Sequence, residues 1–262
     1  MSPIKVAVQG ALGKVGQEVV RAVSADPGMT LVGALEASPA RDSLALPDGS
    51  SIPLSADADL IFSRYRPEAV VDFSIARATV PLARAAARHG VNLVIGTTCL
   101  SAEDISEIGR LAADNIGAVV APNFALGAVL MIHLAKIAGK FLDSAEIIEL
   151  HHNKKVDAPS GTALATARAM AAARGRPFQA PGTPGDASAS RGQPVEGINI
   201  HSLRLPGLLA HQEVILGGAG QTLSIRHDTI SRECYIPGVL LAVREVVKRK
   251  GLVYGLDTLL GL

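Results

Sequence analysis

The most concentrated polar chemistry in the chain is the segment His151-His152-Asn153-Lys154-Lys155-Val156-Asp157-Ala158-Pro159-Ser160-Gly161-Thr162. An imidazole titrates near neutral pH, so His151 or His152 can serve as a general acid, and Lys155 can supply a fixed positive charge or a proton. Ser160, Gly161 and Thr162 open a helical pattern through Ala163, Ala165 and Ala167. Amides and hydroxyls at such a start can hold a carboxylate, although Ser160 is equally readable as a plain helix cap. A zinc reading of His151 and His152 with His201, His211 or His227 lacks any H-x-x-x-H or C-x-x-C spacing, so no metal is expected.

A second group carries nucleotide chemistry. Gly10-Ala11-Leu12-Gly13-Lys14-Val15-Gly16 lies between the alternating Ile4, Val6, Val8 and an amphipathic stretch from Lys14 to Ser24. Glycines where a strand turns into a helix let a pyrophosphate approach the helix N-terminus. The spacing is G-x-x-G-x-x-G and not the strict G-x-G-x-x-G, and a tight turn is the simpler use of such glycines. Glu36 ends the next strand-like run, Leu31 to Leu35, where an acid can accept hydrogen bonds from an adenosine ribose or stand as a solvated surface carboxylate. Ala37 follows it, which tilts the choice toward NADH. Lys14 can still reach a 2′-phosphate, so the expected cofactor is NADH, NADPH or both. Gly96-Thr97-Thr98 and Ala121-Pro122-Asn123-Phe124 end further runs and can line a nicotinamide site, or serve as ordinary turns.

The elements that must position these residues alternate. Apolar runs at Ala69 to Phe73, Val91 to Ile95 and Ala118 to Ala121 are separated by helical patterns at Arg77 to His89 and Ser101 to Asn115, which predicts a parallel sheet covered on both faces. The texture then changes. A helix over Leu126 to Phe141, a strand over Glu146 to His151 and a helix over Gly161 to Arg174 precede a Pro, Gly and Ser-rich stretch at 175–197, read as a surface loop. Strand-like runs at Ile198 to Arg204, Gln212 to Leu216 and Gln221 to His227 follow without a helix, which predicts antiparallel pairing. A last helix near Pro237 to Lys250 can return to the nucleotide domain. The expected fold is α/β, a Rossmann-like parallel-sheet nucleotide domain (1–122 plus 230–262) with an inserted α+β substrate and oligomerisation domain (123–229).

Composition narrows the function classes. With 25 Lys and Arg against 24 Asp and Glu, no field of one sign favours nucleic acid. Cys99 and Cys234 are the two cysteines, too few for a disulfide framework, and a reducing compartment fits them. Neither a signal-like N-terminus nor a long apolar window is present, so a cytoplasmic protein without a membrane partner is expected.

In order and content these motifs closely resemble the 4-hydroxy-tetrahydrodipicolinate (dihydrodipicolinate) reductase family of lysine and diaminopimelate biosynthesis. The resemblance rests on His151-His152 with Lys155-Val-Asp-Ala-Pro-Ser-Gly-Thr162, supported by Val71-Asp-Phe-Ser74, Val94-Ile-Gly-Thr-Thr98, Ala121-Pro-Asn-Phe124, His201-Ser-Leu-Arg-Leu-Pro-Gly207 and Ile225-Arg-His-Asp228. It implies a Rossmann-like domain plus a tetramerising α+β domain, hence a homotetramer, with cofactor between the domains. It implies further that His151 donates or accepts the proton, that Lys155 donates one, and that His152, Gly161 and Thr162 hold a dicarboxylate substrate. NAD(P)H would deliver hydride to ring C4. Two departures stand out: Cys99 where the family usually has glycine, and Ala37 where arginine often follows the acid. The rival readings are another amino-acid dehydrogenase of the same two-domain plan, and a module that senses NAD(P)H without turnover.

Overall fold

Val6, Ala7 and Val8 are buried on both faces of β1 (Ile4–Gln9), as the central strand of a helix-covered parallel sheet requires. The computed structural model describes residues 2–179 and 190–262. In chain order there follow α1 (Lys14–Ala25), β2 (Met29–Leu35), β3 (Ser43–Ala45), β4 (Ser51–Ser55), α2 (Ala58–Tyr65), β5 (Ala69–Asp72), α3 (Ala76–His89), β6 (Asn92–Ile95), α4 (Ala102–Ala112) and β7 (Gly117–Val120). Helix α1 buries Val19, Val20 and Val23 along one stripe, at the spacing a 3.6-residue period demands.

The next part is built differently, from α5 (Leu126–Ala138), β8 (Ser144–His151), α6 (Gly161–Arg174), β9 (Gln193–Val195), β10 (Ile198–Arg204), β11 (Ala210–Gly218) and β12 (Gln221–Thr229). Its five strands run in the order β12-β11-β8-β10-β9. Strand β11 is antiparallel to both β12 and β8, but β10 runs parallel to β8. That corrects the expectation of antiparallel pairing throughout: the link from β8 to β10 passes through α6, and a crossover returns the chain in the same direction. Strands β10 and β11, neighbours in sequence, are separated by β8. One face of this sheet packs Ile147, Ile200, Val214 and Leu216 against Ala163, Ala167 and Met170 of α6, whose alanines allow close approach. The other face presents Ile148, Leu150 and Ile215, none of them fully buried. Of the expected loop at 175–197, residues 180–189 lie outside the described residues, and 193–195 form β9 against β10.

The chain ends with α7 (Ile236–Val246), β13 (Gly251–Tyr254) and α8 (Leu256–Leu260). Strand β13 joins the first sheet beside β7, giving the order β13-β7-β6-β5-β1-β2-β4-β3, parallel except where β3 meets β4. The compact units are Met1–Leu126 with Arg232–Leu262, and Gly127–Ser231. No helix among the described residues is long and apolar enough to cross a membrane.

Candidate active site

In the first unit the order of strands reverses at β1, with β2 on one side and β5 on the other. Loops at the carboxyl ends of strands around such a switch point form the ligand crevice of an open α/β sheet. All four groups of cofactor candidates lie on that edge: Gly10 to Gly16 after β1, Glu36 after β2, Gly96 to Thr98 after β6, and Ala121 to Phe124 after β7.

Backbone geometry explains the glycines. Gly10 sits at φ +72°, and a Cβ on Gly16 would lie 2.0 Å from the Gly10 carbonyl oxygen, so the turn folds tightly only without side chains there. Gly13 is the N-cap of α1 and offers no side-chain cap, and the first turn holds no acid. Helix α4 has a full capping box of Ser101 and Asp104. The start of α1 therefore keeps its amides, including those of Lys14 and Val15, available to an anion, and the loop fits a dinucleotide pyrophosphate. Glu36 accepts the Leu12 N–H at 3.2 Å and the Ala37 N–H at 3.2 Å. Beside it opens a cleft of about 470 Å³ whose walls include Ala37, Asp57, Asp59, Arg84 and Arg88. Arg88 grips Asp59 through two bonds, at 2.7 and 2.9 Å, and Arg84 reaches Glu107 at 2.7 Å. Nothing in the sequence marks these walls, because α2 and α3 contribute side chains with no motif of their own.

The other two loops are braced from within. Asp72, fully buried, accepts the Ser74 hydroxyl at 2.5 Å and the Thr79 hydroxyl at 2.6 Å, and burial pushes its carboxyl up despite these bonds. Ser74 N–H donates to Thr97 Oγ1 at 3.0 Å, linking the ends of β5 and β6. A Cβ on Gly96 would lie 2.2 Å from the Phe73 ring, which also meets the Phe124 ring at 5.6 Å. Ala11, Thr97, Ala121 and Phe124 turn their side chains into packing, whereas Thr98 and Pro122 are exposed. Cys99 adopts φ +63°, so the loop keeps the left-handed conformation that glycine would enter freely.

The second unit assembles the polar segment. His151 ends β8, and its Nδ1 lies 2.5 Å from Glu149 Oε2. Glu149 is fully buried and also accepts two bonds from Arg204, at 2.8 and 2.9 Å, and the Ser160 N–H at 3.1 Å. Burial alone would raise this carboxyl, but hydrogen bonds from His151, Arg204 and Ser202 outweigh it and hold the group at about 2. Neither Glu149 nor Arg204 was singled out in the sequence; they stand 55 residues apart and meet through the β8–β10 pairing.

Ser160 caps α6, its hydroxyl accepting the Ala163 N–H at 3.2 Å. The amides of Gly161 and Thr162 have no acceptor among the described residues, and a Cβ on Gly161 would meet nothing within 4 Å. The helix start is thus an open cradle of N–H groups with room for a carboxylate. Lys155 Nζ pairs with Asp157 at 2.7 and 2.8 Å in the preceding loop, and His152 accepts the Lys155 N–H through its carbonyl. His201 and His211 are occupied elsewhere, facing Glu146 and Asp228 at 2.7 Å each.

A Rossmann-like dinucleotide unit combined with a second, mixed-sheet unit carrying a histidine bonded to a buried carboxylate and an open helix start is the plan of a two-unit NAD(P)-dependent oxidoreductase. Residues 4–124 match the family described as dihydrodipicolinate reductase, N-terminus, and residues 127–260 the one described as dihydrodipicolinate reductase, C-terminus. The chain is 58% identical over 264 residues to the 4-hydroxy-tetrahydrodipicolinate reductase of Dehalococcoides mccartyi strain BAV1, covering 100% of both chains. It is 45% identical to that of Moorella thermoacetica, covering 99% of each. A dipicolinate-bound dihydrodipicolinate reductase from Paenisporosarcina sp. TG-14 superposes with a TM-score of 0.88 at 37% identity, over 98% of this chain and 99% of the other. The chain belongs to the 4-hydroxy-tetrahydrodipicolinate reductase family, the NAD(P)H-dependent reductases of lysine and diaminopimelate biosynthesis.

Proposed function

We propose that this chain reduces 4-hydroxy-tetrahydrodipicolinate to tetrahydrodipicolinate with His151 and Lys155 managing the proton and the start of α6 holding a substrate carboxylate. The observation that carries the reading is the imidazole of His151, bonded to a carboxylate that anchors the N-cap of an open helix start. NADH or NADPH, when bound, supplies the hydride, which adds to ring C4; with one proton taken up and the hydroxyl lost as water, the reaction balances. Gly10, Ala11, Leu12, Gly13, Lys14 and Val15 would hold the pyrophosphate, Glu36 the adenosine ribose, and Gly96 to Thr98 with Ala121 to Phe124 the nicotinamide end.

The chain's own work is to bind, orient and protonate. Amides of Gly161 and Thr162, with the Ser160 cap and His152, receive one carboxylate, and Lys155 leaves Asp157 to meet the anion. His151 delivers its proton to the reduced ring. The dipicolinate named in the Paenisporosarcina structure is a planar dicarboxylate, which supports a cradle of this kind. The same reading makes the protein a cytoplasmic homotetramer, its assembly supported by the partly exposed apolar residues Ile148, Leu150 and Ile215 on one face of the second sheet.

The test supplies freshly made condensation product of aspartate semialdehyde and pyruvate with NADH, then NADPH, and follows loss of reduced nicotinamide. Rapid oxidation is expected. Folded, cofactor-binding protein that stays silent would overturn the reading in favour of another amino-acid dehydrogenase or a nucleotide sensor.

A further inference from the structure

We propose that Glu149 is a positioning residue that fixes the proton-carrying tautomer of His151 and ties it to the anion cradle of α6, an inference that rests on the proton role given to His151 above. An ionised carboxylate only accepts hydrogen bonds, so every group around Glu149 must donate. At Oε2 these are His151 Nδ1 (2.5 Å) and Arg204 Nη1 (2.9 Å); at Oε1 they are Arg204 Nη2 (2.8 Å) and the Ser160 N–H (3.1 Å). The Nδ1 nitrogen therefore carries a proton in both charge states of the ring, and Nε2, which has no partner among the described residues, is the nitrogen that exchanges one.

In the reduction, the Nε2–H bond of the imidazolium breaks and a C–H bond forms at the ring position left electron-rich by hydride addition. The bonding pair returns to Nε2, and the neutral ring keeps Nδ1–H on Glu149, which takes no proton itself.

The remaining groups facing Glu149 agree with this role. Arg204 and Ser202 come from β10, Gln212 is its register partner on β11, and among the described residues no second acid bonds the imidazole. Arg204 also donates to the Asp157 carbonyl at 2.7 Å. The loop of 152–160 is thereby fastened at Asp157 and at Ser160 to one carboxylate and its cation. A shift of that carboxylate would move the acid and the cradle together.

The test reads the imidazole directly. Long-range ¹⁵N–¹H correlation spectra of the whole protein, with His151→Gln identifying the signal, should show the neutral ring protonated at Nδ1; protonation at Nε2 instead overturns the proposal without any Glu149 variant having to fold. In folded Glu149→Gln the proton should redistribute toward Nε2, kcat should fall by roughly 10²- to 10³-fold, and NADH affinity should stay within about twofold. Glu149→Asp should recover part of kcat. An unchanged tautomer with unchanged kcat in Glu149→Gln would overturn it. A full rate in His151→Gln would remove the proton role of His151 itself, while the tautomer measurement still decides whether Glu149 orients the ring.

Discussion

Glu36 closes the glycine-rich loop from outside, its carboxylate accepting the Leu12 N–H at 3.2 Å. A residue at the end of β2 thus shapes a turn that follows β1. Replacing it by alanine removes that bond and the proposed ribose acceptor at once. Glu36→Ala should weaken NADH binding by about 10- to 100-fold, the range for charge-assisted hydrogen bonds. Affinity for dipicolinate should change little, and calorimetric titration of each ligand separates the two effects.

The cleft beside Glu36 also bears on cofactor choice. Asp57 and Asp59 line it, Arg88 is held by Asp59, and Ala37 brings no charge. NADH should bind at least ~10-fold more tightly than NADPH, because a 2′-phosphate would meet Glu36 and Asp57 while Arg84 and Arg88 are already engaged by Glu107 and Asp59. Ala37→Arg should narrow the gap, as fluorescence titration with both nucleotides would reveal.

Gly161 is a glycine that packing does not require, since a methyl group there meets nothing. Gly161→Ala should fold with a melting temperature no lower than wild type, because alanine gives the unfolded chain less freedom, and raise the substrate KM by roughly tenfold, because the methyl occupies the carboxylate's place over the helix amides. An unaltered KM would move the cradle elsewhere.

Cys99 holds φ +63° at an exposed position. A left-handed residue with a side chain costs roughly 1 to 2 kcal/mol. Cys99→Gly should raise stability by about 1 kcal/mol, after the added freedom of the unfolded glycine is subtracted. Urea denaturation with equal slopes for both proteins measures it.

Acid should attack the second unit through Glu149. Its carboxyl lies at about 2 in the folded chain against 4.5 as the ordinary value. The folded group is the stronger acid, so its stabilisation is complete above about 4.5 and disappears as pH falls through 4.5 toward 2. The loss is on the order of 3 kcal/mol. Asp72 has the opposite sign: burial raises it, so its ionisation in the folded state opposes folding as pH rises. Stability measured from neutral pH down to pH ~3 should fall through this window in wild type and depend less on pH in Glu149→Gln.

Where the backbone itself sets the requirement, the sequence is readable. Gly10 and Gly16 are glycines because of a positive φ and a near contact, and Ser160-Gly161-Thr162 announces a helix start by residue type. The parallel strands were visible as short apolar runs because both faces are buried. What escaped were partners far apart in the chain. Glu149 sits in a strand pattern as one more alternating residue, and only pairing with β10 shows that Arg204 covers it. The short strands β3, β4 and β13 are no shorter as a group than β5 to β7, but they are partly exposed and mixed in residue type, so neither an apolar run nor a period emerges, and α2 has only eight residues. The direction of β10 depended on a crossover, which strand-by-strand reading does not register.

The uncapped start of α1 has a bearing on survival of the protein as well as on catalysis. Lacking the side-chain oxygen that caps α2, α4 and α6, that first turn forgoes stabilisation of roughly a few tenths of a kcal/mol, the difference between glycine and a serine or aspartate cap. An anion at those amides restores it, so the dinucleotide acts as a folding ligand, and its free concentration sets resistance to heat and proteases through mass action. Turnover of the protein in a cell would then track the nicotinamide pool: chains starved of dinucleotide open and are degraded first, while saturated chains persist.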